Sequence, residues 1–167
     1  MQSKAEGKKE VVEWIHNNFD TNCTILDVGT GYEGTYAKLL SDYKNIEGVE
    51  IFQPNAEKVL DLYKKVYVQD IRDFDWSNKN YDLIIFGDVI EHLSVEDAQR
   101  VLKEASKHCK DMIVAVPFQY RQGECYGNKA EIHIQDDLTH QLMIDRYGDI
   151  LKVLVDPGAN YCYYNKK

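Results

Sequence analysis

Residues 24–34 read TILDVGTGYEG, and this stretch decides the fold. Its first five residues, Thr24–Val28, form a short and mainly apolar run of the kind that makes a buried strand. The glycines at 29, 31 and 34 then break the run into a tight loop. A strand that ends in such a loop, with a helix-like stretch after it, predicts the first unit of an alternating α/β pattern.

The same alternation continues outward from this stretch. Apolar runs predict strands at 24–28, 46–51, 66–69, 81–86, 112–118, 150–155 and 161–164, and helical spacing predicts helices at 8–19, 35–43, 56–65 and 136–147. A further helix is predicted to open after the capping residues 94–97 and to bury Ala98, Val101, Leu102 and Ala105. Alternation of this kind forms a parallel sheet with helices on both faces. The turn at 156–158 is too short for a crossover helix, so the last two strands are expected to pair antiparallel. We therefore predict an α/β, doubly wound, seven-stranded sheet that is mostly parallel and has an antiparallel C-terminal hairpin.

Composition sets limits on the class of protein. The chain has 167 residues and a formal net charge of −8, and its isoelectric point is near 5.1. The length predicts a single domain over 1–167 with an N-terminal helical extension at 1–20. The acidic balance disfavours nucleic acid as a partner, because phosphate backbones repel it, although Lys4, Lys8 and Lys9 form one basic cluster.

The cysteines and the apolar runs indicate a compartment. None of the four cysteines forms a C-x-x-C pair, so they are expected to be free thiols in a reducing environment. The first ten residues are polar, and no apolar run reaches the length of a membrane span. The sequence predicts a cytoplasmic protein without a membrane partner.

Acidic residues lie at the predicted carboxyl ends of the first four strands: Asp27, Glu50, Asp70 and Asp88. In a parallel sheet these ends meet at one edge, where ligands bind. Glu50 follows Asp27 by 23 residues, about the separation at which a carboxylate accepts both hydroxyls of a ribose. Several carboxylates suit a cationic nucleoside better than a phosphorylated one.

A dinucleotide site is the alternative interpretation. Gly29, Gly31 and Gly34 match the GxGxxG spacing of nicotinamide-dinucleotide binding proteins, but that match alone is weakly specific. Asp27 is polar where such proteins usually carry an apolar residue, and the chain is too short for a separate substrate domain. This alternative is therefore retained as the less favoured one.

The sequence resembles the class I S-adenosylmethionine-dependent methyltransferases, which have a Rossmann-like fold. The resemblance covers residues 24–118 and is carried by five motifs: LDVGTG (26–31), GVEI (48–51), QDI (69–71), YDLIIFGDVIEHL (81–93) and IVAVPF (113–118). It implies transfer of a methyl group from the cofactor S-adenosyl-L-methionine to an oxygen, nitrogen or carbon nucleophile. A binding module that supports a partner enzyme without catalysis is the second hypothesis.

The resemblance also implies where the methionine part of the cofactor lies. Asp27, Gly29, Thr30 and Gly31 would line it, and Asp88 would close the site near the methionine or the sulfonium. The family often carries a third glycine two residues after Gly31, where this chain has a glutamate. The sequence therefore does not determine the path of the loop after Gly31.

The same resemblance assigns four residues to the adenosine part of the cofactor. Glu50 would hold the ribose hydroxyls, and Ile51 would pack on the adenine. Asp70 would accept a hydrogen bond from the adenine amino group, with Ile71 beside it.

Histidines next to the strand-four motif are the candidates for catalysis. His92 is the first candidate for a general base and His133 the second, since imidazole titrates near neutral pH. Asp88, Glu91, His92 and His133 are also residue types that bind divalent ions, and some methyltransferases use a similar acid-x-x-Glu-His set with a metal. We assign no metal on this evidence, and the question stays open.

The long connection at 119–135 is the predicted acceptor loop, because long ordered loops often carry function. Tyr120, Arg121, Tyr126 and His133 are its candidates for lining an acceptor pocket, or they pack on the sheet as ordinary loop residues. The predicted acceptor is a small molecule or a protein.

Overall fold

The computed structural model describes residues 7–158 and 160–167. Lys4 and the first six residues of the predicted N-terminal extension lie outside this part of the chain. The strands are β1 (Thr24–Val28), β2 (Asn45–Glu50), β3 (Lys65–Val68), β4 (Tyr81–Gly87), β5 (Cys109–Pro117), β6 (Leu151–Val155) and β7 (Tyr161–Lys166). The α-helices are α1 (Lys8–Asn18), α2 (Thr35–Leu39), α3 (Gln53–Val59), α4 (Val95–Lys107) and α5 (His140–Tyr147).

These strands form one seven-stranded sheet in the order β3-β2-β1-β4-β5-β7-β6. The first five strands run parallel, and β7 pairs antiparallel with both β5 and β6. The predicted fold class is confirmed. Val28 at the end of β1 pairs with Val49 on one side and Phe86 on the other, so the carboxyl ends of the central strands share one edge.

Helices cover both faces of the sheet, as the alternation of apolar residues requires. Successive β1 residues point to opposite faces: Ile25 packs in the core beneath α1, α2 and α3, and Leu26 packs in the core beneath α4 and α5. In α4 the apolar residues recur at helical spacing and are all buried: Ala98, Val101, Leu102 and Ala105. Ser94 caps this helix by accepting a hydrogen bond from the Asp97 N–H at 3.1 Å.

Three helices differ from the sequence prediction at their ends. Helix α5 begins at His140 rather than 136, because the Thr139 hydroxyl caps it by accepting from the Leu142 N–H. Helix α3 begins at Gln53, with Pro54 in its first turn, so Asn55 lies inside the helix and does not cap it. Helix α2 ends at Leu39, four residues before the predicted end at 43.

Within residues 7–158 and 160–167, none of the helices combines the length and the apolar character that crossing a bilayer requires.

Candidate functional site

A cavity of about 580 Å³ opens at the carboxyl edge of the parallel strands. This volume is in the usual range for small-molecule sites. The cavity is lined by every residue that the sequence singles out for cofactor or catalysis: Asp27, Gly29, Thr30, Gly31, Glu50, Ile51, Asp70, Ile71, Asp88, His92 and His133. The structure brings these residues together, while their individual roles stay predictions. We call the part near Gly31 and Glu50 the glycine-loop end, and the part near His92 and His133 the histidine end.

The glycine loop runs on top of β2 and leaves its backbone open to the cavity. The Gly29 and Thr30 N–H groups both donate to the Val49 carbonyl, at 2.8 and 3.3 Å. Gly29 has a φ of 76°, and a Cβ there would lie 2.6 Å from the Val89 side chain. Gly31 also has a positive φ of 58°, but a Cβ there would meet nothing within 4 Å. A ligand can therefore approach the backbone at Gly31 closely.

Glu50 is the best-fixed carboxylate of the cavity. It is buried at the end of β2, where one carboxylate oxygen accepts from the Gly31 N–H and the other from the Phe52 N–H, both at 2.9 Å. Burial raises the pKa of Glu50, while these two N–H bonds act to lower it. Each oxygen keeps a second lone pair, so the carboxylate is held in place and can still accept from a ligand.

Asp70 is held differently. It caps the short 3-10 turn Ile71–Asp73 through the Arg72 N–H at 2.9 Å, and the Arg72 guanidinium pairs with its carboxylate. Burial acts to raise the pKa of Asp70, but the bonds from Arg72 outweigh it and hold the pKa below its usual value. The two acids assigned to the adenosine part thus differ: one carries a salt bridge of its own, and the other is bound by neutral amides.

Asp27 and Asp88 are each held by a tyrosine hydroxyl. Tyr63 donates to one oxygen of Asp27, whose other oxygen has no hydrogen-bond partner among the described residues, and burial raises the pKa of Asp27 to about 7. Tyr161 of β7 donates to Asp88. Asp88 has a φ of 57°, an uncommon conformation for a residue other than glycine, directly after β4.

Lys8 is a residue whose position the sequence did not reveal. The sequence groups it with Lys4 and Lys9, yet the structure buries it in the first turn of α1. Burial lowers the pKa of Lys8, and the charges of Asp88 and Asp27 act to raise it. An amphipathic pattern alone cannot predict that this lysine is buried, because the acids near it come from two different strands.

The histidine end is formed where the 119–135 loop meets the turn after β4. His92 lies in the 3-10 turn Ile90–His92, and its Nδ1 is 3.2 Å from the Ile132 carbonyl. The Nδ1 of His133 is 2.7 Å from the Tyr120 carbonyl, and the two rings pack edge to face at 4.6 Å. Burial and the neighbouring His133 both lower the pKa of His92. His92 is therefore neutral near pH 7.

Not every predicted loop residue reaches the cavity. Tyr120 lines it together with His133, but the Arg121 side chain is 92% exposed and pairs with Asp136. Tyr126 is 95% exposed. Neither Arg121 nor Tyr126 therefore lines the cavity, and the short bridge between Cys125 and Asn128 closes the tip of the loop that carries Tyr126. Gln122 and Lys129 line the cavity instead, and neither stands in a motif that could have marked it.

Acidic side chains dominate the cavity wall. The carboxylates that line it are Asp27, Glu33, Glu50, Asp70, Asp88, Glu91 and Glu131. Among the lining residues only Arg72 and Lys129 carry a permanent positive charge, and Arg72 is already paired with Asp70. A wall of this kind attracts a cation and repels a phosphorylated ligand.

The sheet order, the open glycine loop and the acids at four strand ends define the class I methyltransferase fold. A family model described as a methyltransferase domain matches residues 2–164. The chain belongs to that family. No curated protein sequence matches the chain.

Solved structures show the same fold at low sequence identity. The chain is similar to an S-adenosylmethionine-dependent methyltransferase from Clostridium acetobutylicum, with a TM-score of 0.72 at 15% identity, covering 100% of this chain and 92% of the other. It is similar to a protein from Pyrococcus horikoshii, with a TM-score of 0.68 at 17% identity over 100% and 94% of the two chains. A third is the magnesium protoporphyrin IX methyltransferase of Synechocystis with bound S-adenosylmethionine, with a TM-score of 0.66 at 13% identity over 94% and 76%.

Proposed function

We propose that the protein binds S-adenosyl-L-methionine and transfers its methyl group to an oxygen, nitrogen or carbon nucleophile of a small molecule or a protein. The observation that carries this proposal is the Glu50 carboxylate, fixed by two backbone amides beside the open Gly31 backbone. Two lone pairs at the end of β2 suit the two hydroxyls of a ribose. Family membership and the ligand-bound Synechocystis structure support the same cofactor.

The charges of the cavity fit this cofactor. S-Adenosyl-L-methionine carries a sulfonium and an ammonium group, and both favour a wall of carboxylates. Asp27 has a pKa of about 7 and a buried oxygen that no residue within 7–158 and 160–167 hydrogen-bonds, so a nearby cation would stabilise its ionised form. Lys8 does not line the cavity, but it is buried near Asp27 and Asp88, whose charges act to raise its pKa.

The cofactor brings an activated methyl group, so the protein mainly has to align the acceptor with it. The Gly29–Gly31 backbone orients the methionine part of the cofactor and Glu50 the ribose, and Asp88 lines the same cavity. His92 and His133 are the candidates to accept a proton when the acceptor carries one, because each donates its Nδ1–H to a carbonyl and keeps the Nε2 lone pair.

The acceptor is expected to enter over the 119–135 loop. This loop contributes Tyr120, Gln122, Lys129 and His133 to the cavity wall, and β4 with its following turn contributes Asp88 and His92. The mixture of one lysine, one tyrosine and neutral amide and imidazole groups suits a polar acceptor of modest size. The net charge of −8 disfavours nucleic acid in this role.

Calorimetry tests the cofactor, and product detection tests the reaction. We expect heat on titration with S-adenosylmethionine and with S-adenosylhomocysteine, and none with nicotinamide dinucleotides. Incubation with pooled small metabolites, and separately with a protein extract, is expected to release S-adenosylhomocysteine from one of the two pools. Binding without product in both would favour the non-catalytic binding module, and absence of binding would overturn the proposal.

A further inference from the structure

The histidine end holds a cluster of potential metal ligands. Glu91, His92 and His133 each offer one ligand atom, and these atoms lie within 4.8 Å of one another. Two of the three residues are adjacent in the turn after β4, and the third comes from the 119–135 loop. His92 and His133 are 41 residues apart in the sequence, and the fold brings them together.

Backbone hydrogen bonds hold the loop against the turn. The Ile134 and Gln135 N–H groups both donate to the Glu91 carbonyl at 2.9 Å. The Gln135 side-chain amide donates to the Ile90 and Leu93 carbonyls on either side. The placement of His133 next to His92 is therefore built into the structure and does not depend on the two rings attracting each other.

Both imidazoles are oriented as metal ligands usually are. The Nδ1 atoms of His92 and His133 face the carbonyls of Ile132 and Tyr120, and a carbonyl can only accept a hydrogen bond. Each Nδ1 therefore carries the proton, and each Nε2 keeps its lone pair. A carbonyl that fixes the far ring nitrogen in this way is the typical support of a metal-bound histidine.

Glu91 gives a second, independent observation. Its side chain is fully buried, and neither carboxylate oxygen has a hydrogen-bond partner in the described structure. A buried carboxyl group without a partner is expensive, so native structures rarely keep one unless something binds it. Its charged neighbours are Asp88 and Glu131, and neither of them makes a hydrogen bond with its carboxyl group.

We propose that Glu91, His92 and His133 bind a divalent transition-metal ion through one carboxylate oxygen and two imidazole nitrogens. This ligand set is one that Zn²⁺, Fe²⁺ and Co²⁺ accept, with the remaining positions open. Ligand bonds of about 2.0–2.2 Å draw such atoms to roughly 3.4 Å from one another, so small side-chain rotations complete the site. All three residues line the cavity, so the open positions face it.

The ion would change the chemistry of the acceptor. Both Nε2 lone pairs would be taken by the metal, so neither histidine would act as a general base in the loaded protein. An acceptor hydroxyl bound at an open position would lose its proton more easily, because the ion stabilises the alkoxide. This consequence rests on the proposed function, whereas the metal site itself does not.

Cobalt binding tests the site without any cofactor or acceptor. Protein stripped with chelator is titrated with Co²⁺ and followed by visible ligand-field absorption and by calorimetry. We expect one equivalent to bind, and Glu91→Gln and His133→Asn each to weaken binding by more than about 100-fold, the upper end of what loss of a supporting residue costs. Far-ultraviolet circular dichroism and calorimetry with S-adenosylmethionine show whether each variant is folded.

A matched control comes from the second histidine cluster, His140, Asp156 and Cys162, whose ligand atoms lie equally close but which is outside the cavity. His140→Asn is expected to leave Co²⁺ binding unchanged. Failure to bind one equivalent, binding that survives both Glu91→Gln and His133→Asn, or a thiolate charge-transfer band would overturn the proposal. Because S-adenosylmethionine binding is measured separately, these outcomes leave the proposed function to its own test.

Discussion

At the glycine-loop end of the cavity the polar side chains come from residues at or next to strand ends, such as Asp27 and Glu50. At the histidine end, His133 and Gln122 come from a loop that folds back on the turn after β4. The positions of the residues at the glycine-loop end are fixed by the register of the sheet. These residues therefore occur at regular separations along the sequence. The arrangement at the histidine end depends on a few loop hydrogen bonds. Under the proposed function, the first end would hold the cofactor, which is constant, and the second would vary with the acceptor.

Replacing Glu50 gives the largest expected effect on the glycine-loop end. Glu50→Gln removes the charge and one of the two acceptors but keeps an oxygen for a backbone N–H. Hydrogen bonds to a charged group are worth about 1.5–3 kcal/mol each, so S-adenosylmethionine affinity is expected to fall on the order of 100-fold. Calorimetry measures it.

Glu47→Gln is the matched control for that variant. Glu47 stands on the same strand, but its carboxylate accepts from the Tyr67 and Tyr81 hydroxyls and does not line the cavity. Its affinity is expected to equal that of the original chain. Glu50→Ala is less informative, because it also leaves the Gly31 and Phe52 N–H groups without their acceptor. Equal affinity in Glu50→Gln would remove Glu50 from the site.

The protonation of Asp27 is expected to make the stability of the protein depend on pH. Its pKa is about 7 in the folded chain, against the ordinary value of 3.8 for an aspartate side chain in water, so the folded state binds the proton more tightly than the unfolded chain. Stability is therefore expected to fall as pH rises from about 4 to 7, by up to about 1.4 kcal/mol per pH unit. Urea unfolding at several pH values measures this slope, and Asp27→Asn is expected to flatten it.

Tyr63→Phe sharpens the Asp27 prediction. The Tyr63 hydroxyl donates to Asp27 and lowers its pKa, so its removal is expected to extend the fall in stability to a higher upper pH while its onset stays near pH 4. Burial also raises the pKa of Glu50 and Glu91, so part of the slope remains in Asp27→Asn. An unchanged slope in Asp27→Asn would show that Asp27 is ionised in the folded chain throughout this range.

Asp70 is expected to have a smaller effect than Glu50, because its carboxylate is already paired with Arg72. Asp70→Asn should weaken S-adenosylmethionine binding by about tenfold or less, the value of one hydrogen bond of about 1 kcal/mol. Asp73→Asn, on the exposed side of the same turn, is the control. A loss as large as that of Glu50→Gln would mean that Arg72 releases Asp70 when the ligand binds.

His133→Asn is expected to have the smallest effect on cofactor affinity, within about threefold of the original chain, because it lies at the histidine end. The same calorimetric titration as for Glu50→Gln gives the value. A larger loss would break the distinction between the two ends, since it would show that the 119–135 loop also holds the cofactor.

The same distinction explains what could be predicted from sequence. The strands, the antiparallel C-terminal pair and the acids at the strand ends follow from apolar runs and loop glycines, which act locally. The pairing of Asp70 with Arg72 could not be read in the same way, because a side chain two residues away can either bind an acid or leave it to a ligand. Tyr161 appeared only as an alternating strand residue, since its bond to Asp88 joins positions 73 residues apart.

The histidine end shows more clearly what could not be predicted from the sequence. His92 and His133 were both named from the sequence, but the bare carboxylate of Glu91 was not apparent, because burial depends on the loop that covers it. The start of α5 at His140 was missed for a related reason. Residues 136–139 precede the helix, where Thr139 caps its first turn and Asp137 pairs with Arg146 of α5.

The place of β7 in the sheet has a consequence for synthesis on the ribosome. This strand lies between β5 and β6, although it is made after both. Until Lys166 has emerged from the exit tunnel, β5 and β6 have no shared neighbour and Asp88 lacks the hydroxyl of Tyr161. A nascent chain stalled after β6 would therefore hold an open gap in its sheet, and the ligand cavity would be completed only when β7 joins it.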